Sequence, residues 1–313
     1  GGRTADVLYG LGRVQIVSGN DVEAREYLTR ANELMPTHHD ILRNLVRLDR
    51  KEGRFAESVT RVGAALDADP ENAKLYTLSG LVAQMDGRPD DAEKAFQKAI
   101  EVDPTDAAGY EQLARLYAKT GRLNEAVSTY EAAIKARPQD PNLHYSLGTL
   151  DSFGGAQDKA IERYEDAIKY GPDLAYPKND LAYIYAESGE NLDRALDLAQ
   201  DAKAALPDTA TVADTLGWVL YKRGIPSAAI SYLKEAVAIS DGDIATVGIS
   251  MHHLAQAYEA DGDPEKARQT LRRTVAERNE DAEQTRARGE PSGPEPAWAA
   301  EVRTMLARLE RAG

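Results

Sequence analysis

Residues 107–140 read AAGYEQLARLYAKTGRLNEAVSTYEAAIKARPQD, and this one stretch decides the fold. Tyr110, Leu113, Ala114 and Tyr117 fall at i, i+3, i+4 and i+7, the spacing of one helix face. Gly121 supplies a residue that tolerates positive φ where that helix must end. A second helix is predicted over Leu123–Ala136, with Ala126, Tyr130 and Ala133 on its inner stripe, and Pro138 stops it. Two helices joined by so short a turn approach closely only where a small residue on one meets a large residue on the other.

The stretch repeats along the chain. Prolines fall at Pro36, Pro70, Pro104, Pro138, Pro172 and Pro207, spaced 34 residues apart and finally 35. Gly19, Gly53, Gly87, Gly121, Gly155, Gly189, Gly224 and Gly262 keep the same time, with closing intervals of 35 and 38. Small residues recur in the second helix at Ala24, Ser58, Ala92, Ala126, Ala160, Ala195, Ala229 and Ala267. Bulky ones stand four positions later at Leu28, Val62, Phe96, Tyr130, Tyr164, Leu233 and Leu271, with Ala199 breaking the series.

A unit of about 34 residues with a Leu-Gly near its start, Ala in its second helix and a closing Pro resembles the tetratricopeptide family. The resemblance covers roughly residues 5–276, with units starting near residues 5, 39, 73, 107, 141, 175, 210 and 248. It implies an all-α fold, a right-handed α-solenoid of about eight helical hairpins. The last units depart from the strict period. One residue is inserted within Glu190–Arg194, and about four within Ser240–Ile249, where Asp241-Gly242 replaces the closing proline. Residues 277–296 read as a polar, proline-containing linker. Residues 297–313 read as a capping helix, with Trp298, Val302, Met305, Leu306 and Leu309 along one face to cover the end of the stack. The first unit starts at once near Ala5 with no such cap, so the chain is expected to be the C-terminal part of a longer protein.

A narrower resemblance lies in Asn179-Asp-Leu-Ala-Tyr-Ile-Tyr-Ala-Glu-Ser-Gly-Glu-Asn-Leu-Asp-Arg-Ala-Leu, followed by Asp214-Thr-Leu-Gly-Trp-Val-Leu-Tyr. These units are similar to the C-terminal units of bacterial exported tetratricopeptide lipoproteins, of the exopolysaccharide, protein-sorting and protease-adaptor types. That similarity implies an exported bacterial protein, periplasmic or outer-membrane-associated rather than cytoplasmic, with a role in assembling an envelope or secretion complex.

Bulk properties bound the function. The 313 residues carry a net charge of -14, which is unfavourable toward nucleic-acid phosphate and anionic membranes. The charge is uneven, because residues 1–70 hold 10 Lys and Arg against 11 Asp and Glu. No stretch approaches the roughly 18 uncharged apolar residues of a membrane span. The absence of cysteine excludes disulfides and thiolate metal sites.

In such a stack the first helix of each hairpin lines the inner groove, where a partner would bind. Counting from each unit start gives a basic part, Arg13, Arg43, Arg47, Arg50 and Lys51, suited to partner carboxylates, with a solvated helix face that offsets neighbouring acids as the competing reading. Arg115 and Tyr145 follow in the middle. Asn179, Tyr183, Asp214, Trp218, Tyr221 and His252 form an aromatic part suited to apolar side chains of an extended peptide. For Trp218 a competing reading is packing on the next unit. A two-carboxylate clamp of the kind some family members use is absent, because Leu78, Ala108 and Gln112 replace the required amide and basic residues.

Chemistry is not expected. His38-His39 and His252-His253 are adjacent pairs whose side chains diverge on a helix, which leaves no chelating i, i+4 pair. Asp67-Ala-Asp-Pro-Glu-Asn72 lacks the glycine and the distant glutamate of a calcium loop. Gly10-Leu-Gly12 follows no strand. The reading is a non-enzymatic scaffold or adaptor that binds another protein in its groove, with no cofactor and no metal. Two alternatives stand beside it: the regulatory region of a larger enzyme, and a structural protein that associates with copies of itself.

Overall fold

A computed structural model describes residues 2–240, 244–288 and 295–312, and all regular structure among them is helical. The chain divides into two compact units, residues 1–156 and 157–313. The first holds α1 (Gly2–Val17), α2 (Asp21–Leu34), α3 (His39–Glu52), α4 (Phe55–Ala68), α5 (Ala73–Met85), α6 (Pro89–Val102), α7 (Ala107–Lys119), α8 (Leu123–Ala136) and α9 (Pro141–Phe153). The second holds α10 (Gln157–Tyr170), α11 (Ala175–Ser188), α12 (Leu192–Ala205), α13 (Ala210–Lys222), α14 (Pro226–Ile239), α15 (Ile244–Ala260), α16 (Pro264–Ala287) and α17 (Ala297–Ala312).

The glycine series has one physical cause. All eight glycines take φ between 69° and 83°, a left-handed conformation that ends the first helix. The residue after seven of them then reaches back five positions in a Schellman bond, as Arg54 N–H does to Asp49 O (2.8 Å) and Arg122 N–H to Tyr117 O (2.8 Å), while after Gly189 the Glu190 N–H donates to Ser188 Oγ (3.2 Å). The inserted residue near 191 is absorbed the same way. Asn191, at φ 50°, is the one non-glycine with positive φ among the described residues, and it opens α12.

Small-against-large packing closes the hairpins α1–α2, α5–α6 and α13–α14. The Phe96 ring on α6 lies where a Cβ on Gly80 of α5 would stand, and Leu28 and Leu233 do the same over Gly12 and Gly217. The cores lie between hairpins. Ala24, Leu28 and Ala31 of the first hairpin bury Ile41, Leu45 and Leu48 of α3. Consecutive first helices α3, α5, α7 and α9 touch one another, as do α11, α13 and α15, while second helices do not pack comparably on second helices. Where Ala199 interrupts the bulky series, Leu198 one position earlier is buried instead.

The far end is closed by α17. Trp298, Val302, Met305 and Leu309 pack with Ala255, Ala267 and Leu271 of α15 and α16, and the indole of Trp298 sits over Gly248. One boundary is corrected. α16 continues to Ala287, so residues 277–287 are helix rather than linker. That stretch is polar, yet it contains no Gly or Pro and is rich in good helix formers, and Arg273 pairs with Glu277 at 2.7 Å. The Asp241-Gly242 replacement lies outside the described residues.

Candidate functional site

The N-terminal unit separates its charges by layer. The first helices α1, α3, α5 and α7 carry nine Lys and Arg against five Asp and Glu. The second helices α2, α4, α6 and α8 carry six against twelve. A unit of acidic sequence thus carries a net basic layer of first helices.

The densest part of that layer is on α3. Its apolar stripe, Ile41, Leu45 and Leu48, is buried, which leaves Arg43, Arg47 and Arg50 exposed along the opposite face. Arg43 makes only a long contact with Asp40 (3.4 Å) on its own helix. Arg13 on α1 is exposed, its guanidinium 5.7 Å from the Tyr9 ring centroid. Arg115 on α7 is exposed and 3.9 Å from Glu111, whose carboxyl is pushed up by burial. Lys51 departs from the expectation. Its ammonium is 2.8 Å from Asp21 at the start of α2, so it ties α3 to the preceding hairpin. Tyr145 on α9 is half-buried.

Beneath the basic face is a group the sequence reading missed. Asp49, on the buried side of α3, has a side chain with no solvent exposure. Arg25 of α2 (2.5 Å), Arg61 of α4 (2.6 Å) and Ser58 of α4 (2.7 Å) all donate to it. Burial alone would push its carboxyl up, but these donors outweigh it and hold the group below the usual carboxylate range. One carboxylate thereby fixes α3 between α2 and α4. The signal was present but not unique: equivalent positions carry Ala83, Tyr117, Tyr185 and Leu220, and a second buried Asp at Asp151.

In the C-terminal unit the expected aromatic site is mostly internal. Trp218 on α13 is 5% exposed. Its ring stacks on His253 of α15 (4.0 Å) and on Tyr221 (4.9 Å), and its Nε1–H donates to Glu187 of α11 (2.6 Å). Asp214 is buried and lies 3.0 Å from His253 Nδ1. His252 is buried 3.4 Å from Glu301 of α17. Burial, with the neighbouring His253, holds its pKa below the usual histidine value against the pull of Glu301. Asn179 is buried on α11. Trp218 and Asp214 tie α13 to α11 and α15, His252 meets α17, and Asn179 donates to the adjacent Asp180 (3.1 Å), so all four are enclosed rather than standing open. Tyr183 and Tyr221 remain half-exposed, and burial with nearby carboxylates pushes both phenols up.

Among the described residues no cluster of three His, Asp or Glu could hold a metal ion. No described helix is long and apolar enough to cross a membrane.

An all-helical chain of two-helix units, each packed only on its neighbours, defines a helical-repeat protein. Two family models, both described as tetratricopeptide repeat, match residues 43–107 and residues 83–149 and 220–290, together more than half of the chain. The chain belongs to the tetratricopeptide repeat family. No curated protein sequence matches it. It is similar in fold to the Cut9–Hcn1 hetero-tetramer of the APC/C, with a TM-score of 0.62 and 18% identity over 92% of this chain. It spans 52% of that neighbour, about half its length. It also resembles a tetratricopeptide repeat protein from Parabacteroides merdae (TM-score 0.51, 16% identity, 80% of this chain and 100% of that one). The human IFIT1 dimer with m7Gppp-AAAA is another neighbour (TM-score 0.51, 17% identity, 87% of this chain and 68% of that one).

Proposed function

We propose that this chain is a protein–protein scaffold that holds an acidic segment of its partner on the first-helix layer of its N-terminal unit. Tetratricopeptide repeat proteins generally mediate protein–protein interactions, and this supports the scaffold reading. The observation that carries the acidic partner is the separation of charge: a net basic first-helix layer in a chain whose total charge is -14. Arg43, Arg47 and Arg50 are the core of the site, and their planar forks suit carboxylates. Arg13 and Arg115 extend it. The finer reading is an adaptor in a bacterial envelope or secretion assembly, in the periplasm or at the outer membrane. It is supported by the resemblance of residues 179–196 and 214–221 to exported lipoproteins.

The test is capture of partners by the chain beside the variant Arg43→Glu/Arg47→Glu/Arg50→Glu, at low and high salt. Proteins retained by the first, lost with the second and released by salt support the reading. Partners held equally by both would overturn the basic-face site.

A further inference from the structure

The hairpins α13–α14 and α15–α16 leave an open groove of about 890 Å³ between their second helices, with α15 as its floor. It lies within the stack, between two hairpins that are both present in full. A groove of the same kind opens between α6 and α8 over α7, lined by Ile100, Tyr110 and Leu113, but its volume is only about 290 Å³. The difference has a physical cause. α16 runs for 24 residues where α14 has 14, and α15 for 17 where α13 has 13. One wall and the floor therefore continue past the end of the other wall.

The groove is apolar at its base and charged along its length. Val247, Met251 and Leu254 form the floor, with Val237 half-buried and Ala238 exposed on the α14 wall. Two of its cations are already engaged, Lys266 with Asp263 (2.6 Å) and Arg273 with Glu277 (2.7 Å). Counted from Gly224 and Gly262, Lys234 is level with Arg272, about two turns short of Glu280. Glu280 and Asp281 line the overrunning end, and neither has a cation within ion-pair distance among the described residues. Only Gln284, on their own helix, donates to Glu280 (3.3 Å). The deep end of the groove is thus acidic over an apolar floor.

We propose that this groove docks an amphipathic helix of a partner protein, with its apolar stripe over Val237, Met251 and Leu254 and its Lys or Arg residues beside Glu280 and Asp281. The walls decide for a helix. Their backbone groups are bonded within α14 and α16, so an extended segment would find no strand edge to pair with, whereas a helix satisfies its own backbone. Lys266 and Gln284 are 18 positions apart along α16, about 27 Å, the length of a five-turn helix. The site is distinct from the basic layer around Arg47 and opposite to it in charge, so one chain can hold two segments of unlike chemistry.

The experiment titrates the whole chain, labelled with ¹³C at its methionine methyls, with two helical peptides of about five turns. Both carry Leu at i, i+3, i+4 and i+7, and one end bears two Lys in the first peptide and two Glu in the second. The chain has four methionines, of which Met251 is in the groove floor while Met35 and Met85 are in the N-terminal unit. The Lys peptide is expected to shift the Met251 methyl and leave Met35 and Met85 unmoved, and to bind ~10-fold more tightly than the Glu peptide at low salt. Glu280→Lys/Asp281→Lys should reverse that order, and Ala238→Trp, which fills the groove, should abolish binding of both. All three replaced residues are exposed, so the circular dichroism spectrum should not change. An unshifted Met251 methyl up to ~1 mM peptide overturns the proposal, as does binding indifferent to Ala238→Trp. Equal affinity for the two peptides, or an order unchanged in the lysine variant, overturns the basic character of the partner helix. All variants leave Arg13, Arg43, Arg47, Arg50 and Arg115 intact, so this result and the result for the acidic partner stand apart.

Discussion

Asp49→Ala is the substitution with the sharpest expected consequence. It deletes a fully buried carboxylate and leaves the Arg25 and Arg61 guanidiniums, only 17% and 18% exposed, with the half-exposed Glu52 (3.1 Å) and Glu57 (4.0 Å) as their remaining counter-charges. Breaking a buried ion pair by removing one partner costs about 3–5 kcal/mol, and the partial exposure of both arginines places this case near 3. In a repeat array the loss should stay local, since each hairpin is stabilised by its neighbours. The assay is native-state hydrogen exchange, with α2, α3 and α4 opening ~100-fold more readily and α11–α16 unchanged. The acid dependence has a definite sign. A depressed carboxyl contributes stability above its unfolded value of 3.8, and that contribution is lost as pH falls through the lower folded value. The difference between wild type and Asp49→Asn should therefore shrink below about pH 4. A triple variant, Arg25→Met/Asp49→Leu/Arg61→Met, should recover most of the loss by removing every charge together. The reasoning is refuted if α2–α4 keep wild-type protection in Asp49→Ala, or if the triple variant is as unstable as the single one.

Gly80→Ala should destabilise by about 1–3 kcal/mol in urea unfolding despite the better helix propensity of Ala, because the new methyl overlaps the Phe96 ring. Adding Phe96→Leu should return part of that loss. Trp218→Phe should cost about 1–2 kcal/mol through the lost bond to Glu187, and Trp218→Ala about 3–5 kcal/mol, both read as faster exchange in α11, α13 and α15. His252 binds its proton less readily folded than unfolded, so stability should fall as pH drops below 6.5 toward the lower folded value. His252→Gln should flatten the melting temperature between pH 7 and 5, and an unchanged slope would exclude His252 as its source.

The fold was legible because its punctuation is chemical. Only glycine readily takes the left-handed turn at Gly53 or Gly121, so the period could be counted without knowing any contact. The partnerships were not legible. Arg25 and Asp49 are 24 residues apart, and Trp218 and Glu187 are 31 apart, so each pair meets only through the stacking of hairpins. Counting positions places residues on one side of each first helix, but does not tell which of them a neighbour covers. That is why Arg47 is open while Asp214 and His252, placed by the same count, are buried. The end of α16 was misplaced for a different reason: polarity was taken for a loop where nothing breaks the helix.

What marks the basic face is charge without an internal partner, rather than charge alone. The cations in the turns of the N-terminal unit are already engaged. Arg54 pairs with Glu57, Arg88 with Asp91 and Arg122 with Glu125, each three residues on at the start of a second helix. Arg122 also reaches Glu93 of the preceding hairpin at 2.6 Å. In the C-terminal unit the polar groups of the first helices are consumed in the same way, by Trp218 on Glu187 and His253 on Asp214. Groups so paired stiffen the stack and have little to gain from a ligand. Arg47 and Arg50, on the exposed edge of a helix whose other side is locked by Asp49, have no acidic neighbour within ion-pair distance among the described residues. They sit on a helix locked from its other side, and binding would cost them hydration and rotamer freedom but no internal ion pair. Under the proposed function a partner carboxylate would meet guanidiniums uncommitted to any internal pair, the condition under which a surface charge contributes to association instead of to stability.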